Sequence, residues 1–466
     1  MTTGLARVTI NAPRRRLDVA LPEQVPLAEL LPEVLRHAGE GLADDGERHG
    51  GWVLRRTDGA PLVTAQALLA QGVRDGEVLH LVPARAHWPE LEYDDVVEVI
   101  ADGARRRGAA WSPAATRAAA LAGAAVPLGV GLLAVLAAGP ADRAGWPVSA
   151  AVALLLTVAG TVASRAYGDA ATGATLGGYA LPYAATAGAL AVSSGDPVGP
   201  LPALRWLGAP EALAGAVALL LVAVLGLLGV AARGRVFVAG ATLGGVGALA
   251  ALGALALSAR GAAAVLVCVL VFALGALPLL AIRLGRLPLP PITLPGDGPG
   301  DGEAARDLPD RARVHAAVAR TEEMLTGLLL GHAALAAGAA AVLAATGGVA
   351  GRVLVAVVSA VLLLRSRLFV ALRHRVPPVV AGLTGFALLG GVLATGPGAA
   401  GRWPLAVAGL AVALVAVAAG TTYARRPVSP YLGRAADLTD TALVVAVVPV
   451  ACAVLDLYER ARGLLG

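Results

Sequence analysis

The chain has 466 residues, 57% of them hydrophobic and only 15% charged, with a mean hydropathy of +0.73. A soluble domain is closer to half apolar, so this balance excludes an ordinary globular enzyme and points to the membrane. The net charge is +5 and lysine is absent; the arginines flank apolar segments, which is the pattern of topology determinants, so no nucleic-acid partner is expected.

The first 85 residues are mixed in character. Arg7-Val8-Thr9-Ile10 alternates as a half-buried strand does, Asn11-Ala12-Pro13-Arg14 reads as a turn, and Leu17, Val19 and Leu21 complete a hairpin. Leu27, Leu30, Leu31, Val34 and Leu35 fall at i, i+3, i+4, i+7 and i+8, one face of a helix that ends near Gly39. Trp52 and Leu54 with Thr57-Asp58-Gly59 predict a third strand and a turn, Leu68-Leu69 a short turn-like element, and Gly76 to Val82 a last strand. The order β-β-α-β-turn-β is that of a β-grasp, ubiquitin-like domain, an α+β fold. Conjugation is not expected of it, because the chain runs on past Pro83-Ala84 with no Gly-Gly end and has no lysine. A docking module is the expected use. No basic n-region followed by an apolar h-region opens the chain, so this head is expected on the side of synthesis.

Residues 86–116 read as an amphipathic linker helix. Val96, Val97 and Ile100 share a face, Asp94, Asp95 and Glu98 lie near its start, and Arg105-Arg106-Arg107 lie at its end, a charge order that suits the helix dipole. Trp111 marks the membrane interface.

Residues 117–466 predict an all-α polytopic membrane domain. A span needs about 20 apolar residues, and about eleven such stretches follow one another: 117–138, 148–164, 170–192, 211–232, 236–257, 261–282, 326–346, 351–364, 377–396, 403–423 and 441–458. Arg165, Arg233, Arg235, Arg365, Arg367, Arg373 and Arg375 fall in one set of loops, while the opposite set carries single arginines such as Arg143 and Arg260. The richer side is expected in the cytoplasm with the N-terminus, which places the C-terminus outside the cell membrane. The spans are rich in Gly and Ala, which allow close helix approach. His332 is the ionisable group expected within a span, hydrogen-bonded to a neighbouring helix; Asp456 is expected to snorkel, and Glu211 to sit at a helix N-terminus. Leu287 to Pro295, with Pro288, Pro290 and Pro291, cannot be helical and predicts an extended run. Arg311 to Met324 reads as a helix lying before the seventh span. Arg365-Ser366-Arg367 and Arg373-His374-Arg375 bracket Leu368-Phe369-Val370 as a basic amphipathic turn suited to lipid headgroups or an acidic partner. No P-loop, HExxH or GxSxG motif occurs, and Cys268 and Cys452 lack ligand spacing, so no catalytic, cofactor or metal site is expected.

The ubiquitin-like head, the Tyr93-Asp94-Asp95-Val96 segment leading to Trp111, the eleven spans, Leu287-Pro288-Leu289-Pro290-Pro291, Ser164-Arg165-Ala166-Tyr167-Gly168-Asp169 and Arg365-Ser366-Arg367 together resemble the EccD family. EccD is the multi-pass membrane component of type VII (ESX) secretion systems. The resemblance implies a non-enzymatic subunit that pairs with a second copy of itself as a homodimer and assembles with EccB, EccC and EccE. It implies a head that contacts the EccC ATPase, and spans of two copies that enclose a lipid-filled vestibule. The candidate partner-docking or lipid-contact residues are Tyr93, Asp94, Asp95, Arg165, Asp169, Pro288, Pro290, Pro291, Arg365, Arg367, Arg373 and Arg375. The competing expectation is a small-molecule permease with an appended regulatory head, which would need a polar site at mid-membrane.

Overall fold

A computed structural model describes residues 4–13, 15–39, 42, 51–84, 111–230, 233–286, 311–396, 402–425 and 429–465. The chain divides into two units, Met1–Trp111 and Ser112–Gly466. Tyr93, Asp94, Asp95, Pro288, Pro290 and Pro291 lie outside the described residues, as does most of the 86–116 segment.

In the head, β1 (Leu5–Asn11) and β2 (Arg16–Pro22) form the hairpin, α1 (Leu27–Ala38) crosses the sheet, and β3 (Trp52–Arg56) and β4 (Val78–Pro83) complete it. The strand order is β2-β1-β4-β3, with β1 and β4 parallel and the other pairs antiparallel. This is the β-grasp arrangement. The alternation along β1 turns Ala6, Val8 and Ile10 into the core, where they meet Leu27 and Val34 of α1 and Leu54, Leu79 and Leu81 of the other strands. The indole of Trp52 donates to the Leu42 carbonyl at 2.8 Å, so the one polar atom of that buried ring is satisfied.

The second unit is a bundle of long apolar helices: α2 (Pro113–Ala138), α3 (Gly145–Arg165), α4 (Ala170–Val192), α5 (Ala209–Gly229), α6 (Arg235–Ala256), α7 (Ala259–Ala273), α8 (Leu277–Gly285), α9 (Arg311–Thr346), α10 (Gly348–Arg365), α11 (Leu372–Thr395), α12 (Arg402–Tyr423), α13 (Pro430–Val454) and α14 (Leu457–Leu465). Among the described residues, nine helices are long and apolar enough to cross a membrane, and α7 with α8 makes a tenth span. The 23-residue α4 is a further long helix, less apolar because it carries Thr172, Thr175, Tyr179, Tyr183 and Thr186.

Three boundaries depart from simple hydropathy. The segment expected as one span over 261–282 is broken into α7 and α8, which meet at 69°. Pro278, near the start of α8, has no N–H to offer the Leu274 carbonyl, and Gly275 precedes it. The helix expected over Arg311 to Met324 and the span after it form one continuous α9 of 36 residues. At 1.5 Å per residue this is about 54 Å long, well beyond the ~30 Å hydrocarbon layer; no proline interrupts it. The last long helix begins earlier than its apolar run, at Pro430, and ends at Val454; Asp456, two residues on, adopts a left-handed backbone (φ 57°) before α14.

Glycine brings these helices into backbone contact. A Cβ on Gly160 would stand 2.8 Å from the Gly173 carbonyl, and one on Gly173 2.6 Å from the Gly160 carbonyl, so α3 and α4 touch through their main chains. The same occurs between α4 and α5 at Gly188 and Gly215, and between α6 and α9 at Gly327 and Gly331. Phe237 of α6, fully buried, lies against Gly177 of α4 and Gly226 of α5, where any Cβ would run into its ring. Gly226→Val should therefore lower stability by about 1–3 kcal/mol through overpacking. Gly253→Ala, with nothing within 4 Å of the new methyl, should leave it unchanged. The thermal midpoints of the purified variants in detergent micelles separate the two outcomes.

Candidate functional site: arginine clasps on the membrane unit

Each helix terminus leaves carbonyls or N–H groups without intrahelical partners, and within hydrocarbon no water replaces them. The turn from Arg165 to Asp169 answers both ends at once. Arg165 donates from Nε to the Gly229 carbonyl at 2.9 Å and from Nη2 to the Leu228 carbonyl at 2.8 Å, capping the C-terminus of α5 with a cation. Asp169 is the N-cap of α4: its carboxylate accepts from the Thr172 N–H at 3.1 Å and the Thr172 hydroxyl at 2.7 Å. Arg117 of α2 pairs with the same carboxylate at 3.1 Å.

The Thr172 hydroxyl, then the Thr172 N–H, and more weakly Arg117, hold the Asp169 carboxyl below its ordinary range. A carboxyl depressed by folding contributes stability above its unfolded pKa, and that contribution is lost as pH falls through the lowered folded value. The stability difference between wild type and Asp169→Asn should therefore be present at neutral pH and disappear on acidification below the usual carboxylate pKa of about 3.9.

A second set of clasps ties α10 to α13. Arg365, at the C-terminus of α10, contacts both oxygens of Asp440 from Nε at 3.3 Å and donates from Nη1 to the Val271 carbonyl at 2.7 Å. Val271 lies in the last turn of α7, just before the break, where the helix no longer continues to supply N–H donors. His332 of α9, 2% exposed, contacts the adjacent Leu270 carbonyl through Nε2 at 2.9 Å. An arginine and a histidine from two different helices thus converge on the broken end of a third. One rung further on, Arg367 pairs with Asp437 and also reaches the Gly433 carbonyl. Arg373, in the first turn of α11, pairs with Glu322 of α9 at 2.5 Å.

Of the residues singled out from the sequence, Arg165, Asp169, Arg365, Arg367 and Arg373 are each engaged with other parts of the same unit. The Arg365–Arg367 and Arg373–Arg375 segments do not form one basic turn: a 3₁₀ turn (Ser366–Leu368) precedes α11, which takes up Arg373 to Arg375 in its opening residues. Arg375 is exposed and has no ion pair to another described residue, while His374 between the two arginines is buried. The carboxylates that complete the clasps, Asp437, Asp440 and Glu322, were not singled out. Their signal was available, since Asp437 and Asp440 are an i, i+3 acidic pair just before the apolar run of that helix. Asp456 does not simply snorkel: it pairs with Arg260 at 2.5 Å, joining α13 to the start of α7. Glu211 accepts from the Gly208 N–H at 3.0 Å, closing the N-terminus of α5.

Arg365→Ala should destabilise the membrane unit by roughly 3 kcal/mol, because it leaves Asp440, only about a fifth exposed, and the carbonyl of the fully buried Val271 unpaired. Arg367→Ala should cost about 1 kcal/mol or less, since Asp437 is largely exposed. Equilibrium unfolding in mixed micelles with the Asp440→Ala partner, run as a double-mutant cycle, measures the coupling.

A β-grasp head covalently joined to a clasped bundle with nine or ten apolar helical spans among the described residues defines a multi-pass membrane protein with a ubiquitin-like domain. A family model described as "EccD-like transmembrane domain" matches residues 116–464, and one described as "WXG100 protein secretion system (Wss), protein YukD" matches residues 5–81. The ESX-4 secretion system protein eccD4 of Mycobacterium tuberculosis is 30% identical over 492 residues, covering 99% of this chain and 98% of the relative. The ESX-1 secretion system protein EccD1 of the same organism is 28% identical over 519 residues, with 98% and 95% covered. The solved structure of protomer 1 of the ESX-3 core complex superposes with a TM-score of 0.61 at 23% identity, covering 98% of this chain and 99% of that one, a likeness of fold. The chain belongs to the EccD family, the multi-pass membrane proteins of ESX (type VII) secretion systems.

Proposed function

We propose that this chain is a non-enzymatic membrane scaffold and channel-associated subunit of a type VII secretion core complex. Its head docks to the cytosolic part of the secretion ATPase, EccC. The observation that carries the reading is the pairing, in one chain, of a YukD-type head over residues 5–81 with an EccD-type membrane unit over 116–464, with relatives alike along nearly their whole length. The unit acts as one of two copies in an assembly with EccB, EccC and EccE, in the cell membrane, with the head in the cytoplasm and the C-terminus outside. The arginine-rich ends of the spans support that orientation. Residues 1–85 form the docking domain, 86–116 the linker and 117–466 the membrane domain. Tyr93, Asp94, Asp95 and the Pro288-Leu289-Pro290-Pro291 loop are surfaces for partners, and Arg375 is free to meet headgroups.

The clasps favour a scaffold over a permease. A coupled permease needs an ionisable group that changes partners at mid-membrane. Here His332 is tied to the Leu270 carbonyl, Arg365 to Asp440 and Arg260 to Asp456. Each of these contacts holds helices together.

Removing residues 1–85 should leave the spans inserted while abolishing co-purification with the ATPase and export of substrate. Affinity purification in mild detergent, with a secretion assay alongside, reads both. A headless chain that still brings down the ATPase and supports export would show that the docking role is wrong.

A further inference from the structure

Within the membrane unit a cavity of about 960 Å³ lies between α4, α5, α6, α7 and α9, with α2 along one side. On α6 its wall runs from Val236 through Gly240, Leu243 and Gly247 to Ala254, a single helical face. At 1.5 Å per residue that stretch is about 27 Å long, close to the ~30 Å thickness of the hydrocarbon layer. The cavity is therefore a slot running along the helix axes, closed at one end by the 198–207 loop through Leu201, Leu204 and Trp206.

Two features limit what can fill it. Only three of its lining side chains carry polar atoms: the Thr186 hydroxyl donates to the Pro182 carbonyl at 2.9 Å, one carboxylate oxygen of Glu211 accepts from the Gly208 N–H, and the Trp206 indole lies at the looped end. The rest of the wall is apolar, so a polar ligand would lose its hydration along most of the slot, and an apolar cavity does not hold water. The second feature is the glycines. At Gly188, and at Gly215 and Gly331 in the slot's own wall, a neighbour's main chain or side chain lies within 3 Å of where a Cβ would stand, so these glycines serve helix contact. Gly338 lines the slot with nothing within 4 Å, and Gly247 meets only two side-chain atoms, at 3.7 and 3.9 Å. Their smallness keeps space open.

From these observations we infer that the slot is a binding site for the acyl chain of a membrane phospholipid, held within a single copy of the protein between α4, α5, α6 and α9. Its length and its largely apolar wall match a linear hydrocarbon, and the bilayer supplies one.

The test uses the full-length protein in phosphatidylethanolamine–phosphatidylglycerol vesicles doped with phosphatidylglycerol that carries a photoactivatable diazirine on one acyl chain. Adducts are mapped by peptide mass spectrometry. Adducts are expected on slot residues such as Ala250 and Ala334, in addition to those on the outer helix α12. Gly247→Leu with Gly338→Leu fills the slot and should reduce the slot adducts about tenfold, equivalent to 1.4 kcal/mol of occupancy, while α12 labelling is retained. Gly253→Leu, on the same helix but outside the slot, should change neither. Gly338→Val alone should give an intermediate loss if the double variant fails to insert. Labelling of α12 without labelling of the slot would overturn the inference. So would slot labelling that is indifferent to the leucines, or a polypeptide segment cross-linked in the slot in place of lipid.

Discussion

A backbone carbonyl in hydrocarbon has no water to fall back on, and leaving one unpaired costs several kcal/mol. That constraint is most severe where a transmembrane helix stops short. In this chain α7 stops at Ala273, before Gly275 and Pro278; Arg365 supplies the donor that the Val271 carbonyl lacks, and His332 meets the neighbouring Leu270 carbonyl, which also accepts the Leu274 N–H. Much of the lower bundle follows from that one repair. To reach the Val271 carbonyl, Arg365 must sit at the end of α10, and its charge then requires Asp440 on α13. The same ladder adds Arg367 with Asp437, and α9, which supplies His332, is tied in turn to α11 through Glu322 and Arg373. A break in one helix therefore organises four others.

The other half of the bundle is held by a different balance of the same forces. There, glycine-to-carbonyl contacts among α3, α4, α5 and α6 replace side-chain interdigitation, and Phe237 fills the space that Gly177 and Gly226 leave. The outermost helix α2 buries no residue of its own. It is held by the hydroxyls of Tyr179 and Tyr183, which donate to the Leu121 and Leu128 carbonyls at 2.8 and 2.7 Å, and by Arg117 on Asp169. Polar side chains here act as fasteners between helices whose apolar faces gain nothing from leaving lipid for protein. A unit fastened in this way is suited to carry partners and poorly suited to rock around a central substrate.

The head was legible almost residue by residue. Alternation at Val8 and Ile10 and the i, i+3, i+4 face from Leu27 to Leu35 are local signals, and burial follows them because one small core leaves each element only one way to face. The spans were legible as apolar stretches for the same reason. What local pattern did not reveal was where those stretches break: Gly275 and Pro278 sit in a run whose hydropathy is continuous across the 69° bend. Nor did it reveal the partners of the arginines. Arg165 reads as a loop cation, but its two bonds run to carbonyls more than sixty residues away.

Composition, period and charge placement were enough for the kind of protein this is: a β-grasp head before a Gly- and Ala-rich polytopic body, with arginines in the loops between its spans. Those properties depend on how each residue partitions between water and hydrocarbon, and partitioning is local. The roles of the arginines, the histidine and the glycines came from the packed bundle. Whether Arg365 meets a headgroup or Val271 depends on which helix ends beside it, and whether a glycine serves contact or space depends on what stands within 4 Å of it. Gly188 and Gly338 are the same residue in similar sequence surroundings. One is pressed against the Ala214 carbonyl and the other faces an open slot, a difference created by helices far away in the chain.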